Sequence, residues 1–276
     1  MPETELSVVI PVLNEEDIVE KNLRELASRL NTIVGAGKWK FVIVDNGSTD
    51  QTPQILKRVL TELPPSLSVF VPEPNYGAAL RAGLAAADTD FAHPCDIEQW
   101  DIPFITWAWS IRHEHDLFIG SKRSDPTISK QTSRRRFLSW GLNALLQLMF
   151  GYMGTDTHGP KLIYMRKLRP VINSCLSDRG QFDTEIVLRS VRKGYRLAEA
   201  PIAFLETRPP RVRLFKKILW NLIAFNRLRT IIGGLGYSDK IEFRQFSRSD
   251  VLKATEALGA ATTVAQFEVL DKEVKR

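Results

Sequence analysis

Cysteine is scarce in this chain of 276 residues, which contains only Cys95 and Cys175. This pair makes neither a disulfide framework nor the spacing of a zinc site, and it is consistent with a reducing compartment. No apolar run reaches the roughly 18 residues that a transmembrane helix requires. The acidic start MPETELSVV passes directly into a strand pattern, unlike a secretory signal peptide. We therefore expect a cytoplasmic protein without a membrane span.

Two sequence signatures are also missing. No G-x-G-x-x-G motif follows the first strand pattern, which argues against a dinucleotide-dependent oxidoreductase. No recognised nucleic-acid-binding motif accompanies the net charge of +6 and the pI of about 9.3, so we do not expect nucleic acid as a partner. The positive charge therefore calls for another explanation.

The excess of basic residues is concentrated in the triplet Arg134–Arg136 and in the segment 208–229. Each cluster adjoins an apolar run: residues 137–153 follow the triplet, and RVRLFKKILWNLIAFNRLRTIIGGLG follows Pro210. This combination favours contact with anionic lipid or with a phosphate-bearing substrate, the alternative being a solvated basic face. The helix 137–153 is either core or lies in a membrane interface. We predict peripheral attachment to the inner face of the membrane.

Strand and helix patterns alternate along the chain, which predicts an α/β fold with a mostly parallel sheet and crossover helices. Asn14 is positioned to cap the first helix, Gly194 ends a later helix, and a final helix is expected over 249–258. The predicted strands are ELSVVIPV, FVIVD, LSVFVPE, a short run before the acidic loop, DLFIGSKR, the segment after DTHGPK, and lastly YRLAEAPIAFLETR.

Polar residues follow several of these strands. Asn14 and Glu15 follow the first strand, residues 45–50 follow the second, and residues 96–101 follow the fourth. Ligands of open parallel sheets bind beyond the carboxyl ends of the strands. This convergence predicts a ligand site at that edge of the sheet.

Seven segments occur together in a recognisable order: LSVVIPVLNEED, FVIVDNGSTDQT, NYGAALRAGL, the acidic loop at Asp96, GSKR, DTHGPK and FDTEIVLRSVRKGYRLAEAPI. Over roughly residues 5–208 they resemble a family 2 glycosyltransferase, in particular the branch that acts on dolichyl or polyprenyl phosphate. The resemblance implies a GT-A fold, which is a Rossmann-like, mostly parallel sheet flanked by helices. The predicted domains are a catalytic domain over 1–210 and an extension of basic amphipathic and polar helices over 211–276.

The resemblance also implies an inverting transfer from a UDP- or GDP-linked sugar, usually with Mg2+ or Mn2+. The expected acceptor is a polyprenyl phosphate or a similar lipid-linked group. Two alternatives are a glycan hydroxyl as acceptor, and a non-catalytic protein that binds nucleotide sugars. The polar C-terminal tail could also pair with a second copy as a homo-oligomer.

Carried over onto this sequence, the resemblance implies a set of donor-binding residues. Asp45 would accept a hydrogen bond from the base, and Ser48 and Asp50 would shape its turn. Arg123 and Arg208 are the first candidates to hold phosphate, because the arginine fork binds it bidentately. The implied donor-binding residues are Pro11, Leu13, Asn14, Glu15, Asp45, Ser48, Asp50, Gly77, Asp156, Lys161 and Arg208.

The acidic loop departs from the family pattern. Asp96 occupies the second acidic position of the family's Asp-x-Asp motif, whereas Pro94 replaces the first. Asp96 and Glu98 are two apart, point the same way in an extended loop, and could hold the metal together. His93 is a poorer ligand because Mg2+ disfavours nitrogen. The other interpretations are a decayed metal site and an Asp96 that merely caps a turn.

The remaining catalytic candidates, besides Asp96 and Arg123, are Asp183 and Glu185 in FDTE. Either could be the general base if the acceptor is a hydroxyl, and none is needed if the acceptor is already a phosphate anion. The alternative for Asp183 is a helix N-cap. In DTHGPK, Gly159 allows a close backbone approach, and the alternative is an ordinary β-turn.

Overall fold

The computed structural model describes residues 4–98, 100–125, 128–130, 133–177, 180–205, 214–232 and 242–258. The strands of these residues are β1 (Leu6–Val12), β2 (Trp39–Asp45), β3 (Ser66–Phe70), β4 (Phe91–Pro94), β5 (Leu117–Ser121), β6 (Ser129–Lys130), β7 (Lys161–Tyr164), β8 (Leu197–Pro201), β9 (Phe204–Leu205) and β10 (Phe243–Gln245). The helices are α1 (Val19–Ile33), α2 (Thr52–Val59), α3 (Tyr76–Ala86), α4 (Ile102–Ser110), α5 (Ser133–Phe150), α6 (Met165–Ser174), α7 (Phe182–Arg192), α8 (Leu214–Ile232) and α9 (Arg248–Ala257).

Eight strands form one sheet in the order β10-β8-β5-β7-β4-β1-β2-β3. Its pairs are parallel except those of β7, which runs antiparallel to both β4 and β5. The predicted mostly parallel α/β sheet is therefore confirmed. Because β7 is reversed, its first residue, Lys161, lies at the same edge as the carboxyl ends of the other strands.

The Gly- and Ala-rich helix α3 packs directly on β1 and β2. A Cβ added to Gly83 would come within 2.4 Å of a Val9 methyl carbon and 2.9 Å of a Val44 methyl carbon. The predicted reason for its small side chains, the close packing of a neighbouring element, is confirmed. This packing fixes the start of α3 at the carboxyl edge of the sheet.

The sheet continues beyond the strand that we expected to be last. β10 pairs in parallel with β8, and α9 packs against α4 and β8. The expectation of a last strand near residue 200 is thus wrong, because β10 extends the sheet and α9 packs beside it. The sheet extends past the predicted domain boundary at residue 210. The helix expected over 249–258 is present as α9.

The expected helix cap at Asn14 is also wrong. Helix α1 begins only at Val19, with Ile18 as its N-cap residue, and residues 15–18 form a turn. Asn14 has φ of 55°, a left-handed conformation that asparagine tolerates better than most residues. The side chain binds a neighbouring loop instead, as described below.

Helices α5 and α8 pack together on the β5–β8 side, where Leu146, Phe225 and Leu228 are buried. Within the described residues, no helix combines the length and the apolar character needed to span a membrane. Several large apolar side chains of this region remain exposed: Leu148, Met153, Leu222 and Ile223. The side chains of Arg134–Arg136 lie outside the described part of the structure.

Candidate active site

The loops after β1 and β2 are locked together by side-chain hydrogen bonds. The Asn14 N–H donates to Ser48 Oγ at 3.0 Å, and the Thr49 N–H donates to Asn14 Oδ1 at 2.8 Å. The Glu15 N–H donates to Thr52 Oγ1 at 2.9 Å. The side chains predicted to border a nucleoside are therefore held in one small surface at the carboxyl edge.

Two aspartates shape this surface. Asp45 is buried at the end of β2 and accepts the Ser48 N–H at 3.0 Å. Asp50 accepts the Thr52 N–H at 2.9 Å and the Glu16 N–H at 3.2 Å. Burial tends to raise the pKa of Asp50, but these hydrogen bonds outweigh it and lower that pKa. Pro11 is buried in β1, and Leu13 follows the strand half-buried.

Side-chain hydrogen bonds also connect the residue after β2 to the start of helix α3. The Asn46 side-chain oxygen accepts the Asn75 N–H at 2.8 Å, and Asn75 in turn caps the helix by accepting the Ala78 N–H at 3.3 Å. Gly77 is buried in the first turn. The cap positions Tyr76, the first residue of α3, next to the acidic loop.

Asp96 lies open to solvent immediately beyond β4. The protein around it removes part of its hydration and raises its pKa; the positive charges of Lys122 and Lys161 oppose this, and the negative charges of Asp183 and Glu98 reinforce it. Tyr76 lies beside Asp96 as well and is 40% exposed: partial loss of hydration raises the pKa of its hydroxyl, and so do the charges of Asp183 and Asp96. The sequence reasoning missed Tyr76 and Lys122; an aromatic residue directly after a capping asparagine was the available signal for Tyr76.

The acidic loop offers few metal ligands. Glu98 is exposed, and Asp101 caps α4 by accepting the Phe104 N–H at 2.8 Å. His93 is buried, and its Nδ1 lies 2.6 Å from the Lys161 carbonyl oxygen, so the ring faces the sheet interior. Among the described residues, no group of three His, Cys, Asp or Glu side chains could hold a metal. Mg2+ commonly takes only one or two protein carboxylates together with phosphates and water, and Asp96 and Glu98 are the exposed carboxylates that this loop offers.

The loop before β7 is anchored by a buried glutamate that the sequence reasoning did not single out. Glu199 of β8 accepts hydrogen bonds from the Thr155 N–H at 2.8 Å and the Thr155 hydroxyl at 2.7 Å, and from the Asp156 N–H at 3.3 Å. Gln245 of β10 donates to the same carboxylate at 3.2 Å. An acid in a buried strand gives no periodic signal, so its role emerges only from the fold.

Gly159 allows this loop to touch β5. An added Cβ would lie 1.7 Å from the carbonyl oxygen of Gly120, a distance no real side chain accepts. The close backbone approach predicted for Gly159 is confirmed. Asp156, next to this contact, accepts the His158 N–H at 2.9 Å; burial tends to raise its pKa, but Arg123 and that hydrogen bond outweigh burial and lower it.

Lys161 and Asp183 form a buried ion pair across the site. The Lys161 ammonium lies 2.7 Å from Asp183 Oδ1 and also donates to the Gly159 carbonyl oxygen at 2.9 Å. The side chains are 1% and 6% exposed, so water contributes little to either. Asp183 lies in the first turn of α7, whose N-cap residue is Gln181, and the N-cap alternative for Asp183 is wrong.

Glu185 is fully buried and saturated with donors. It accepts the Leu176 N–H at 3.0 Å, the Ser177 N–H at 2.7 Å and Arg189 Nε at 2.7 Å. Burial tends to raise its pKa, but these donors outweigh burial and lower it. The carboxylate holds the segment leading into α7, and the same segment is bound by the Arg81 guanidinium through the Cys175 carbonyl oxygen at 2.7 Å.

Arg123 follows β5 and donates to the Thr155 carbonyl oxygen at 3.2 Å, so it borders the same loop. Arg208, together with Arg211 and Arg213, lies outside the described residues. The remaining predicted residues fall into two groups along the carboxyl edge. One group lies at β1, β2 and α3, the other at β5, β7 and α7, and Asp96 lies between them.

The comparison with known proteins agrees with this geometry. Residues 7–96 match the model of the family described as Glycosyl transferase family 2. An uncharacterized glycosyltransferase of Mycobacterium tuberculosis is 32% identical over 207 residues, which cover 72% of this chain and 84% of that protein. The chain belongs to glycosyl transferase family 2.

Two further proteins are similar to this chain. Dolichyl-phosphate beta-glucosyltransferase ALG5A of Trichomonas vaginalis is 26% identical over 212 residues, which cover 73% of this chain and 66% of that protein. The mannosyltransferase PcManGT of Pyrobaculum calidifontis, solved with GDP-Man and Mn2+, is 16% identical, with a TM-score of 0.56 over 97% of this chain and 74% of that one. The structural match shows the fold, and the expected GT-A architecture is confirmed.

Proposed function

We propose that this glycosyltransferase transfers a hexose from a UDP- or GDP-linked donor to a polyprenyl phosphate or a similar lipid-linked acceptor. The observation that supports a phosphate acceptor concerns Asp183 and Glu185, the two candidates for a general base. Both carboxylates are already engaged by other groups of the protein. Asp183 is neutralised by Lys161 at 2.7 Å, and Glu185 is saturated by main-chain N–H groups and Arg189. An acceptor that is already an anion needs neither of them.

The reaction we propose is a single inverting displacement. An oxygen of the acceptor phosphate attacks the anomeric carbon of the sugar as the bond from that carbon to the donor diphosphate breaks. The nucleoside diphosphate leaves with the bonding pair, and no proton need be removed. Asp45 and its turn would hold the base, while Arg123 and Lys122 would face the phosphates of one substrate.

A bound Mg2+ or Mn2+ would neutralise charge on the leaving diphosphate as a Lewis acid. Asp96 would hold it, with Glu98 as the second carboxylate. Because nearby Asp183 and Glu98 make the surroundings of Asp96 more negative, a cation at this position would relieve their repulsion. Tyr76 would then orient Asp96.

The proposed site of membrane attachment is the outer surface of α5 and α8. Leu148 is 76% exposed, and Ile223 is 61% exposed. In a chain of net charge +6, such apolar side chains next to basic segments favour contact with an anionic bilayer. A lipid acceptor would then be presented to the site from this side.

Donor and acceptor can be tested separately. We would titrate UDP-glucose and GDP-mannose by calorimetry with Mn2+ and then with EDTA, and compare transfer to undecaprenyl phosphate with transfer to undecaprenol. We expect one donor to bind only with the metal and only the phosphate to accept sugar. Asp96→Ala should remove transfer. Transfer to undecaprenol at an equal rate would refute the phosphate acceptor, and unchanged transfer by Asp96→Ala would refute the metal role.

The second candidate function is transfer to a glycan hydroxyl, with Asp183 as base. It is favoured by the position of Asp183 in the site, close enough to raise the pKa of Asp96. On this alternative, the folded fraction of Asp183→Asn keeps its donor affinity but has no turnover. If the folded fraction of Asp183→Asn turns over normally, Asp183 is not the base.

A further inference from the structure

His158 is a polar side chain of the site that neither the family resemblance nor the proposed reaction uses. It lies in the loop between α5 and β7, two residues beyond Asp156, and is exposed. The loop is fixed at both ends, by Glu199 through Thr155 and by the contact of Gly159 with Gly120. The imidazole is therefore presented to the open site from a rigid support.

One ring nitrogen is held by two hydroxyl groups. His158 Nδ1 lies 3.1 Å from Thr157 Oγ1 and 3.3 Å from Thr184 Oγ1, and the two hydroxyls lie 2.9 Å apart. A hydroxyl can donate to Nδ1, which leaves the proton of the neutral ring on Nε2. The side chain is exposed, so the Nε2–H of this tautomer can reach a ligand in the open site.

Loss of hydration, more than the charges around the ring, lowers the pKa of His158. The groups that face it are Asp183 on α7, Asp156 on its own loop, Lys161 on β7 and Arg123 after β5. Loss of hydration lowers the pKa of His158; the two carboxylates oppose this shift and the two cations add to it. The lowered pKa favours the uncharged ring, which donates a hydrogen bond from Nε2.

The position of His158 along the sheet favours the acceptor rather than the donor. The nucleoside surface lies at β1 and β2, whereas His158 reaches the carboxyl edge beside β7 and β5, on the other side of β4. Its loop directly follows α5, which carries exposed Leu148. A phosphate on a lipid that arrives along α5 would meet His158 before it meets Asp96.

We propose that His158 binds the acceptor phosphate through an Nε2–H hydrogen bond and so holds the attacking oxygen toward the sugar. This inference rests on the proposed lipid-phosphate acceptor. His158 is not required as a base in this role, because the phosphate oxygen already carries the charge.

The first test is kinetic. His158→Ala should raise the KM for undecaprenyl phosphate by roughly 10-fold, the value of one lost hydrogen bond of about 1.4 kcal/mol, and leave donor affinity unchanged. His158→Gln, which keeps an N–H donor but cannot accept a proton, should restore most of the loss. The matched control is His113→Gln, an exposed histidine outside the site. Equal loss of kcat in the alanine and glutamine variants would overturn the proposal and indicate a base.

The second test does not depend on turnover. The chain has only four histidines, and His93 and His115 are buried, so the resonance of His158 can be assigned with the glutamine variant. In protein with isotope-labelled histidine, farnesyl phosphate should shift the His158 ring signals, while farnesol should not. A shift without any sugar transfer would support the phosphate contact but refute the proposed function. Sugar transfer without a shift would refute the role of His158 alone.

Discussion

At the scale of single residues, the site depends on groups that water cannot reach. The Lys161–Asp183 pair is the clearest of these, because both side chains are almost fully buried. Breaking such a pair leaves one uncompensated charge in the protein, whereas replacing both partners by apolar residues of similar size can be neutral. The pair therefore contributes to stability as well as to the shape of the site.

We expect Asp183→Asn to lower the free energy of unfolding by about 3 kcal/mol, measured by urea denaturation, because Lys161 stays charged and buried. The double variant Lys161→Met with Asp183→Leu should recover most of that loss. The control is Asp90→Asn, which removes the exposed pair with Arg166 and should leave the midpoint nearly unchanged. Equal destabilisation by Asp90→Asn and Asp183→Asn would contradict this explanation.

We expect Gly159→Ala to reduce transfer by about 100-fold, because the added methyl group must push the loop away from Gly120 and misplace the site. Gly141→Ala is the matched control. Gly141 lies in α5, and apart from its own stretch of helix no described residue comes within 4 Å of the place a Cβ would take, so the change should keep activity and raise stability by up to about 1 kcal/mol. Steady-state transfer rates of the two variants would test the expected loss of activity in Gly159→Ala. Thermal unfolding would test the expected gain of stability in Gly141→Ala.

At the scale of elements, helix α4 shows how the stability contributed by a helix cap can depend on pH. Asp101 accepts the Phe104 N–H and also the Ala203 N–H at 3.0 Å, which joins the start of α4 to the chain after β8. Burial raises the pKa of Asp101 to about 6, although the two hydrogen bonds oppose the shift. Holding Asp101 as a charged carboxylate in this buried position therefore costs folding free energy. That cost falls as the pH falls and the carboxylate becomes protonated.

A folded-state pKa above the unfolded value of 3.8 means that the folded protein binds more protons between these values. The contribution of Asp101 to stability should therefore rise as the pH falls from 7.5 to 5. We expect the unfolding free energy of the wild type to gain about 1.4 kcal/mol relative to Asp101→Asn over this range. A difference between the two proteins that stays constant with pH would show that Asp101 does not titrate there.

The elements also show what the sequence could predict. The strands of the parallel sheet and the polar residues after them were predictable, because a buried strand and a turn each leave a local pattern. Helix α4 was missed because residues 102–109 are all buried, so no polar face marks its period. Tyr76 and Glu199 were missed because their partners lie far away in sequence, and only the folded sheet brings them together.

At the scale of the whole molecule, the two halves of one sheet carry different parts of the proposed site. The β1–β3 half holds the proposed nucleoside surface, and the β5–β8 half holds the proposed acceptor loop and the α5–α8 pair. Apolar side chains are exposed on both halves, since Leu67 and Phe70 on β3 are 41% and 65% exposed. Exposure alone therefore does not identify the surface that meets the membrane. The proposed surface is chosen by its position beside the proposed acceptor loop.

We expect a variant with Leu148→Glu and Ile223→Glu to lose most of its binding to vesicles that contain anionic lipid, while keeping donor affinity. The matched control replaces Leu67 and Phe70 by glutamate at the opposite edge of the sheet, which adds the same charge. Vesicle flotation would measure the membrane-bound fraction of each variant. If both variants lose binding equally, net charge rather than the α5–α8 surface attaches the protein to the membrane.

The hydrogen bond from Gln245 to Glu199 has a consequence for synthesis of the protein. Residues 6–121, which include the nucleoside surface, leave the ribosome first and can begin to form β1–β5. The strand that flanks Glu199 follows only after α8, so the acceptor loop gains its last anchor when nearly the whole described chain has been translated. Under the proposed function, a nascent chain would be able to hold a nucleotide before it can hold an acceptor, and α8 would emerge before β10 completes the sheet.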